Sequence, residues 1–467
     1  MALDAAVPET AWAERHFGGS GLGDERLRRR LVMMAGAMAA RPSESLPKQF
    51  EQWTDLTGAY RLLNNPRVDP DAMQRTHRDL TLRSCAGRDV VLCVQDTTEL
   101  DYSGRRGVKG LGRVGAGGRG ILQHATLAVC PRDGLLGVLH CRWHCRAERI
   151  EGETKYGRLK RWRESLLWPE SVAALPAAPE GTRFVTVTDR GGDAFATLEA
   201  CIAAGHGFVI RAGRRRNVDD GEQDLWEAVR GQKVLGTREL EVVERSATFL
   251  NKGRKGRSAT VEVRSGRLTL KPPRQRTSPM SPRTVTTVYV RELDPPEGEE
   301  PIEWLLLTSE AVKGMEDAER VIGWYRKRWV IEEWHRAQKE GCGVERAQFD
   351  DVLDLTRLAS LTGVLAVRLL QVRDLARKEG EDAARADVLL HERMPRVWIE
   401  VVARLAKATD ASSMTAQTFV RTIARRGGWL ARKHDGPPGW KTIWKGWYDI
   451  AMLVEGVLLA RSIGGSV

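Results

Sequence analysis

Apolar positions along the chain change their spacing from region to region. From Asp24 to Pro42, Leu27, Leu31, Met34 and Met38 recur at helical spacing behind an aspartate suited to an N-cap, which predicts a helix closed by the proline. A second helix is expected to carry Phe50, Trp53, Leu56, Tyr60 and Leu63 and to end at Asn64-Asn65-Pro66. From Asp89 the pattern shortens: DVVLCVQDTT is an apolar run ending in Asp96, and RFVTVTD is a second ending in Asp189. Continuous runs of this length read as strands in a sheet covered by helices. ILQHATLAVC (121–130), LLGVLHCRWHC (135–145) and GFVIRAGRRR (207–216) read as further strands, the last running into a basic loop. Residues 223–300 are strand-rich, with Val261 and Val263, then Leu268 and Leu270, alternating around Ser265-Gly266, a hairpin signal.

Beyond the proline-rich close at Pro295, Pro296 and Pro301, the stretch Trp324–Glu345 reads as one helix. Trp324, Val330, Ile331, Trp334 and Ala337 form its apolar stripe, while Tyr325, Arg328, Glu332 and Lys339 fall within about 60° of one another on the opposite face. Leu355, Leu358, Leu361, Leu365 and Leu369 then predict a buried helix, and RKEGEDAARAD (377–387) a solvated boundary. The remainder is helical. Trp440, Trp444, Trp447 and Ala451 recur at helical spacing ahead of an apolar segment through Leu459, a stripe that suits either core or partner surface.

Composition narrows the class. The chain has 467 residues, enough for about three domains. Its 74 Lys and Arg against 62 Asp and Glu give a net charge of +12, with basic clusters at 28–30, 214–216, 251–257 and 271–276. Several clusters on separate segments suit an extended polyanion better than one small acidic ligand. Fifteen tryptophans stand against six tyrosines and eight phenylalanines, and Trp beside Arg or Lys recurs, a mixture that suits base stacking next to phosphates. Seven cysteines, an odd number, argue for a reducing compartment. No secretory layout opens the chain and no run reaches the ~18 apolar residues of a membrane span, so a cytoplasmic protein is expected, nucleoid-associated when bound to DNA.

Three carboxylates stand out. An aspartate closing a buried strand is costly unless it is solvated or coordinates a cation, and Asp96 and Asp189 repeat that arrangement. With Glu332 they make three hard oxygen ligands of the kind that suits Mg²⁺, with Mn²⁺ able to substitute. Arg328 and Lys339 suit phosphate. The glycine- and arginine-rich segment 104–120 contains a G-x-G-x-x-G at Gly110, Gly112 and Gly115, but a strand rather than a helix follows, so it reads as a flexible loop able to lie against a phosphate backbone. His140, Cys141, His144 and Cys145 alternate as a strand would, without the second ligand pair of a zinc site.

The spacing Tyr-x2-Arg-x3-Glu-x6-Lys at Tyr325, Arg328, Glu332 and Lys339 resembles the signature of the insertion-sequence-four family of bacterial DDE transposases. VQDTTELDY (94–102), VTDRGGD (187–193), IEWLLLTSEAV (302–312) and ASLTGVLAVRLLQVRDL (359–375) resemble further segments of that family. The resemblance implies a ribonuclease-H-like α/β catalytic domain over 71–376 with a β-rich insertion at about 223–300. It also implies a helical DNA-binding domain over 1–70, for which the residues alone leave a helical lid with a solvated basic face as the lesser alternative, and a helical dimerisation domain over 377–467. Asp96, Asp189 and Glu332 would be the catalytic metal ligands. Tyr325, Arg328, Lys339, Arg211 and Trp304 would contact DNA, Trp304 by stacking on a base flipped from the duplex, although capping the insertion's core serves equally for that tryptophan. Cut-and-paste transposition follows: a homodimer cleaves double-stranded transposon ends through a hairpin intermediate and joins the 3′-OH to target DNA. The alternative is a catalytically inactive or domesticated relative that binds DNA without cutting it.

Overall fold

The computed structural model describes residues 7–105, 107–147, 162–218, 223–242, 255–273, 280–375, 380–432 and 435–464, with Gly152, Thr154 and Gly157. Parts of the basic runs 251–257 and 271–276, and residues 377–379 of the charged boundary, lie outside the described residues.

The chain begins with helices α1 (Glu9–Phe17), α2 (Glu25–Ala40), α3 (Leu46–Gln49), α4 (Trp53–Leu63) and α5 (Pro70–Cys85). Asp24 caps α2 as its position suggests, accepting from the Arg26 amide, and Asp69 caps α5 with Pro70 in its first turn. Helix α1 has no clear sequence signal, yet Trp12 and Phe17 bury it completely on one side. Phe50 does not join α4. It sits in extended backbone after α3, because the Gln49 amide donates to the Arg41 and Glu44 carbonyls and folds that short helix back onto the end of α2.

Strands β1 (Val90–Asp101), β2 (Gly112–Val114), β3 (Gly118–Cys130) and β4 (Gly134–His144) follow, then α6 (Leu167–Ala173), β5 (Arg183–Thr188), α7 (Phe195–Ala203) and β6 (Gly207–Arg211). After α8 (Leu225–Arg230) come β7 (Lys233–Val242), β8 (Arg257–Leu270), β9 (Arg283–Glu292) and β10 (Glu303–Thr308). They form one mixed sheet in the order β2-β3-β1-β5-β6-β10-β9-β8-β7, with β4 on β3. Strands β1, β5 and β6 are mutually parallel and the other pairings are antiparallel. The strand-rich region after residue 223 therefore extends the central sheet through β10.

Three expectations about these strands change. Asp96 does not end β1: the strand runs on to Asp101 because β3 stays paired with it to Gly120, whereas the pairing with β5 stops at Gln95 and Thr188. Asp96 thus stands where β1 loses one of its two neighbours. Segment 104–120 is not all loop, since Gly112–Val114 turns back onto Gly118–Gly120. Ser265-Gly266 is not a hairpin. β8 passes straight through it in unbroken register with β9, and the apolar alternation changes phase there because Val261 and Val263 enter one core while Leu268 and Leu270 pack on another.

The stretch expected as a single helix is divided. Helix α9 (Met315–Arg326) ends in a tightened turn, in which the Arg328 amide bonds to Tyr325 and the Val330 amide to Lys327, before α10 (Trp329–Arg336) begins. A wide π-turn over Ala337–Gly341 and a 3₁₀ turn over Val344–Arg346 follow, with Gly343 at φ +62° between them. Ile331, Trp334 and Ala337 are fully buried, so the apolar stripe docks as its spacing implies. Helix α11 (Val352–Leu375) runs through the core behind them. The chain closes with α12 (Gly380–Arg393), α13 (Arg396–Leu405), α14 (Ala416–Arg426) and α15 (Trp440–Gly464). Trp444 and Trp447 of α15 are core, Trp447 lying 4.9 Å from the Trp398 ring, whereas Leu458, Leu459 and Ile463 on the later turns are exposed. Among the described residues no helix is long and apolar enough to cross a membrane. All seven cysteines are free thiols.

Candidate active site

Parallel pairing brings the two aspartates together. Gln95 and Thr188 are opposite one another on β1 and β5, so Asp96, within β1, and Asp189, directly after β5, follow as the next residues where that pairing ends, on strands about 5 Å apart. Asp189 also caps a 3₁₀ turn over Arg190–Gly192, its Oδ1 accepting from the Gly191 amide at 2.8 Å. The third carboxylate comes from the docked helix. Buried Ile331 and Trp334 hold α10 against the core, which leaves Glu332 facing β1.

Arg328 ties this acidic corner together. Its Nη2 donates to Glu332 Oε1 at 2.5 Å, and its Nη1 lies 3.7 Å from Asp96 Oδ2. Burial raises the Asp96 carboxyl to about 7; the charge of Asp189 and, more weakly, that of Glu332 add to the rise, while the Thr97 amide and Arg328 oppose it. A carboxyl raised first by burial and then by two neighbouring carboxylates is one whose charged form a nearby cation would favour.

Two aromatic residues flank the corner. The buried Tyr325 ring is 6.0 Å from the Arg328 guanidinium and 6.3 Å from the half-buried ring of Trp304 on β10. Lys339 is set farther along β1: on the π-turn, its Nζ donates to the Glu99 carbonyl and lies 3.3 Å from Glu345, which in turn accepts from the Asp101 amide. Arg211 ends β6, two strands from β1, opposite Leu306. The fold thus gathers Asp96, Asp189, Glu332, Arg328, Tyr325 and Trp304, with Lys339 beside them and Arg211 at the rim.

As they stand, these side chains do not form a closed cage, and among the described residues no three His, Cys, Asp or Glu side chains are grouped to hold an ion. The donor set nevertheless fits a hard divalent cation: three carboxylates, two of them just beyond the end of the β1–β5 pairing, with a guanidinium supplying the positive charge.

Some participants carry no signal in the sequence. Thr97 donates its amide to Asp96 Oδ1 at 2.8 Å and pairs through Oγ1 with His124 Nδ1 at 2.7 Å. Trp168 lies under the turn that carries Asp189. The glycine pair Gly191-Gly192 directly after Asp189 was the one available hint of a close neighbour there.

Comparison with protein families bears on the flanks of this site. Residues 9–68 match a family model described as "Transposase DNA-binding", and residues 368–466 match one described as "Transposase Tn5 dimerisation domain". The first spans α1 to α4 and the second the end of α11 through α15. Together they support a Tn5-type transposase with DNA-binding and dimerisation domains.

Proposed function

We propose that this chain is a DDE transposase that cleaves transposon ends by divalent-metal-dependent phosphoryl transfer and joins the freed 3′-OH to target DNA. The observation that supports the reading is that Arg328 reaches both Asp96 and Glu332 while the β1–β5 register sets Asp189 beside Asp96, between segments that match DNA-binding and dimerisation domains. In this reading residues 1–70 bind the ends, 71–376 form a ribonuclease-H-like catalytic unit, and 377–467 pair two protomers so that both ends are held at once.

Asp96, Asp189 and Glu332 would hold Mg²⁺ or Mn²⁺, which when bound supplies activation of the attacking oxygen and charge neutralisation at the leaving one. Arg328 must release Glu332 to free that carboxylate, and its fork then faces a phosphate beside the site. Lys339, adjacent to β1, adds a second phosphate contact. The Trp304 and Tyr325 rings offer a platform for one unstacked base, which a hairpin intermediate requires, since closing a tight DNA hairpin costs a few kcal/mol in stacking.

The test is cleavage of DNA carrying the flanks of the protein's own gene, with Mg²⁺ or Mn²⁺, comparing wild type with Glu332→Ala. Nicks at the element boundary followed by hairpin ends, lost in the variant, are the expected result. Binding to those flanks with no cleavage in either metal would overturn the enzymatic reading and leave a DNA-binding relative.

A further inference from the structure

The sheet face opposite the Asp96 side chain holds a connected set of residues. Successive residues on a strand point to opposite faces, so Thr97 turns away from Asp96 while its amide reaches back to Asp96 Oδ1. Across the β1–β3 pairing Thr97 meets His124, a fully buried side chain. The His124 ring stands edge-on to the Trp168 indole, centroids 5.0 Å apart and planes at 67°. That indole, on α6, underlies the turn after β5. A Cβ on Gly191 would come within 2.7 Å of Trp168 Cζ2, and one on Gly192 within 2.7 Å of Trp168 Cδ1. Neither glycine has a positive φ, so it is occupied space that excludes a side chain there: the indole and, at 3.0 Å, Asp189 Oδ1 for Gly191, and Thr188 with the indole for Gly192. The Gly191 amide in turn donates to Asp189 Oδ1. One path of contacts, Asp96–Thr97–His124–Trp168–Gly191–Asp189, therefore joins the two carboxylates behind the sheet.

We propose that Trp168 is a positioning residue for Asp189: the indole is the wall on which the Arg190–Gly192 turn is set, and through His124 and Thr97 it fixes Asp189 relative to Asp96. This rests on the reading of Asp96 and Asp189 as partners in holding a divalent cation. The indole itself touches neither substrate nor ion. Its effect is on the spacing of the two ligands, and supporting groups of this kind typically govern affinity by about 10–100-fold.

The test uses the full chain with Trp168→Ala, Gly191→Ala, the double variant and Trp168→Phe. Trp168→Ala is expected to remain folded by thermal melting, to bind end DNA without metal as wild type does, and to bind Mn²⁺ about 10–100-fold more weakly in calorimetric titration. Amide hydrogen exchange across 190–193 should quicken. Gly191→Ala should produce the same losses in wild type, yet add much less in the Trp168→Ala background, where the indole clash is gone and only the 3.0 Å approach to Asp189 Oδ1 remains. Trp168→Phe, which keeps an aromatic wall, should restore part of the affinity. Additive effects of the two alanine substitutions, or native exchange of the turn in Trp168→Ala, would overturn the proposal. If wild type binds no Mn²⁺, the metal reading of the pair fails by itself, while the exchange data still decide the role of Trp168.

Discussion

A carboxyl held near 7 at Asp96 has a consequence for stability that can be worked out without reference to catalysis. The unfolded chain ionises this group near the ordinary aspartate value of 3.8, whereas the folded chain does so at about 7. Below 3.8 both states are protonated and no difference exists. As pH rises from about 4 to about 7 the unfolded state releases its proton first, so the folded state loses stability across that window and carries the full penalty above it. Asp96→Asn removes the penalty while keeping the shape. The metal-free variant should therefore be more stable than wild type at pH 8, by roughly 1–3 kcal/mol, and nearly equal to it at pH 4. Chemical denaturation at the two pH values checks this, and adding Mg²⁺ at pH 8 should stabilise wild type but not the variant. An equal difference at both pH values would place the effect of Asp96 elsewhere than in its charge.

The element that brings Glu332 to the strands is held by close packing at both ends, and here sequence and structure part company in an instructive way. Helix existence was legible from the apolar stripe, because Ile331, Trp334 and Ala337 recur at helical spacing and are the buried face. The breaks at Lys327–Arg328 and at Ala337–Gly341 were not, since no proline marks either of them. The same distinction holds in the sheet. Runs ending near Asp96 and Asp189 marked β1 and β5, but the length of β1 depends on its partner β3, and the phase change in β8 depends on which core each half meets. The grouping of Asp96, Asp189, Glu332 and Arg328 followed from pattern and resemblance; the support from Thr97, His124 and Trp168 did not, because nothing in their spacing ties a threonine, a histidine and a tryptophan on three separate segments. At Gly341 the packing is directly testable. A Cβ there would lie 2.8 Å from Trp440 Cζ3 and 2.9 Å from Leu369 Cδ1, between the π-turn and helices α15 and α11. Gly341→Ala should destabilise by about 1–3 kcal/mol. Gly323→Ala, in α9 with nothing within 4 Å of the added methyl, should instead stabilise by about 0.5–1 kcal/mol. Melting both variants beside wild type decides it, and a harmless Gly341→Ala would mean that the π-turn is free to shift.

Across the whole molecule, several of the described histidines are neutral core residues. His77 on α5 accepts the Val138 amide at Nε2 and faces His16 of α1 through Nδ1 at 3.0 Å, so the pair joins the N-terminal helices to β4. His124 on β3 and His335 on α10 are likewise buried, and His140 on β4 is half-buried. Burial holds His77, His124 and His335 down at about 3 and His140 at about 4, and lowers His16 as well, with the charge of His77 and nearby arginines adding to the effect there. For each, the folded value lies below the unfolded value of about 6.5. Above 6.5 both states are neutral and nothing is lost. Below it the unfolded chain takes up protons that the folded chain refuses, so stability falls as pH drops from about 6.5 toward about 4, each such group adding about 1.4 kcal/mol per pH unit. Asp96 runs the other way over part of the same range, but it is one group against several, so the histidines dominate. Denaturant unfolding at fixed temperature should show a steep loss between pH 6.5 and 4.5, and His77→Gln, which can still accept the Val138 amide, should flatten that slope by about one proton. Because His77 is shared by α1, α5 and β4, acid should release the N-terminal helices and the sheet in one transition rather than two. Separate midpoints for tryptophan fluorescence and far-ultraviolet circular dichroism would show instead that the N-terminal helices detach by themselves.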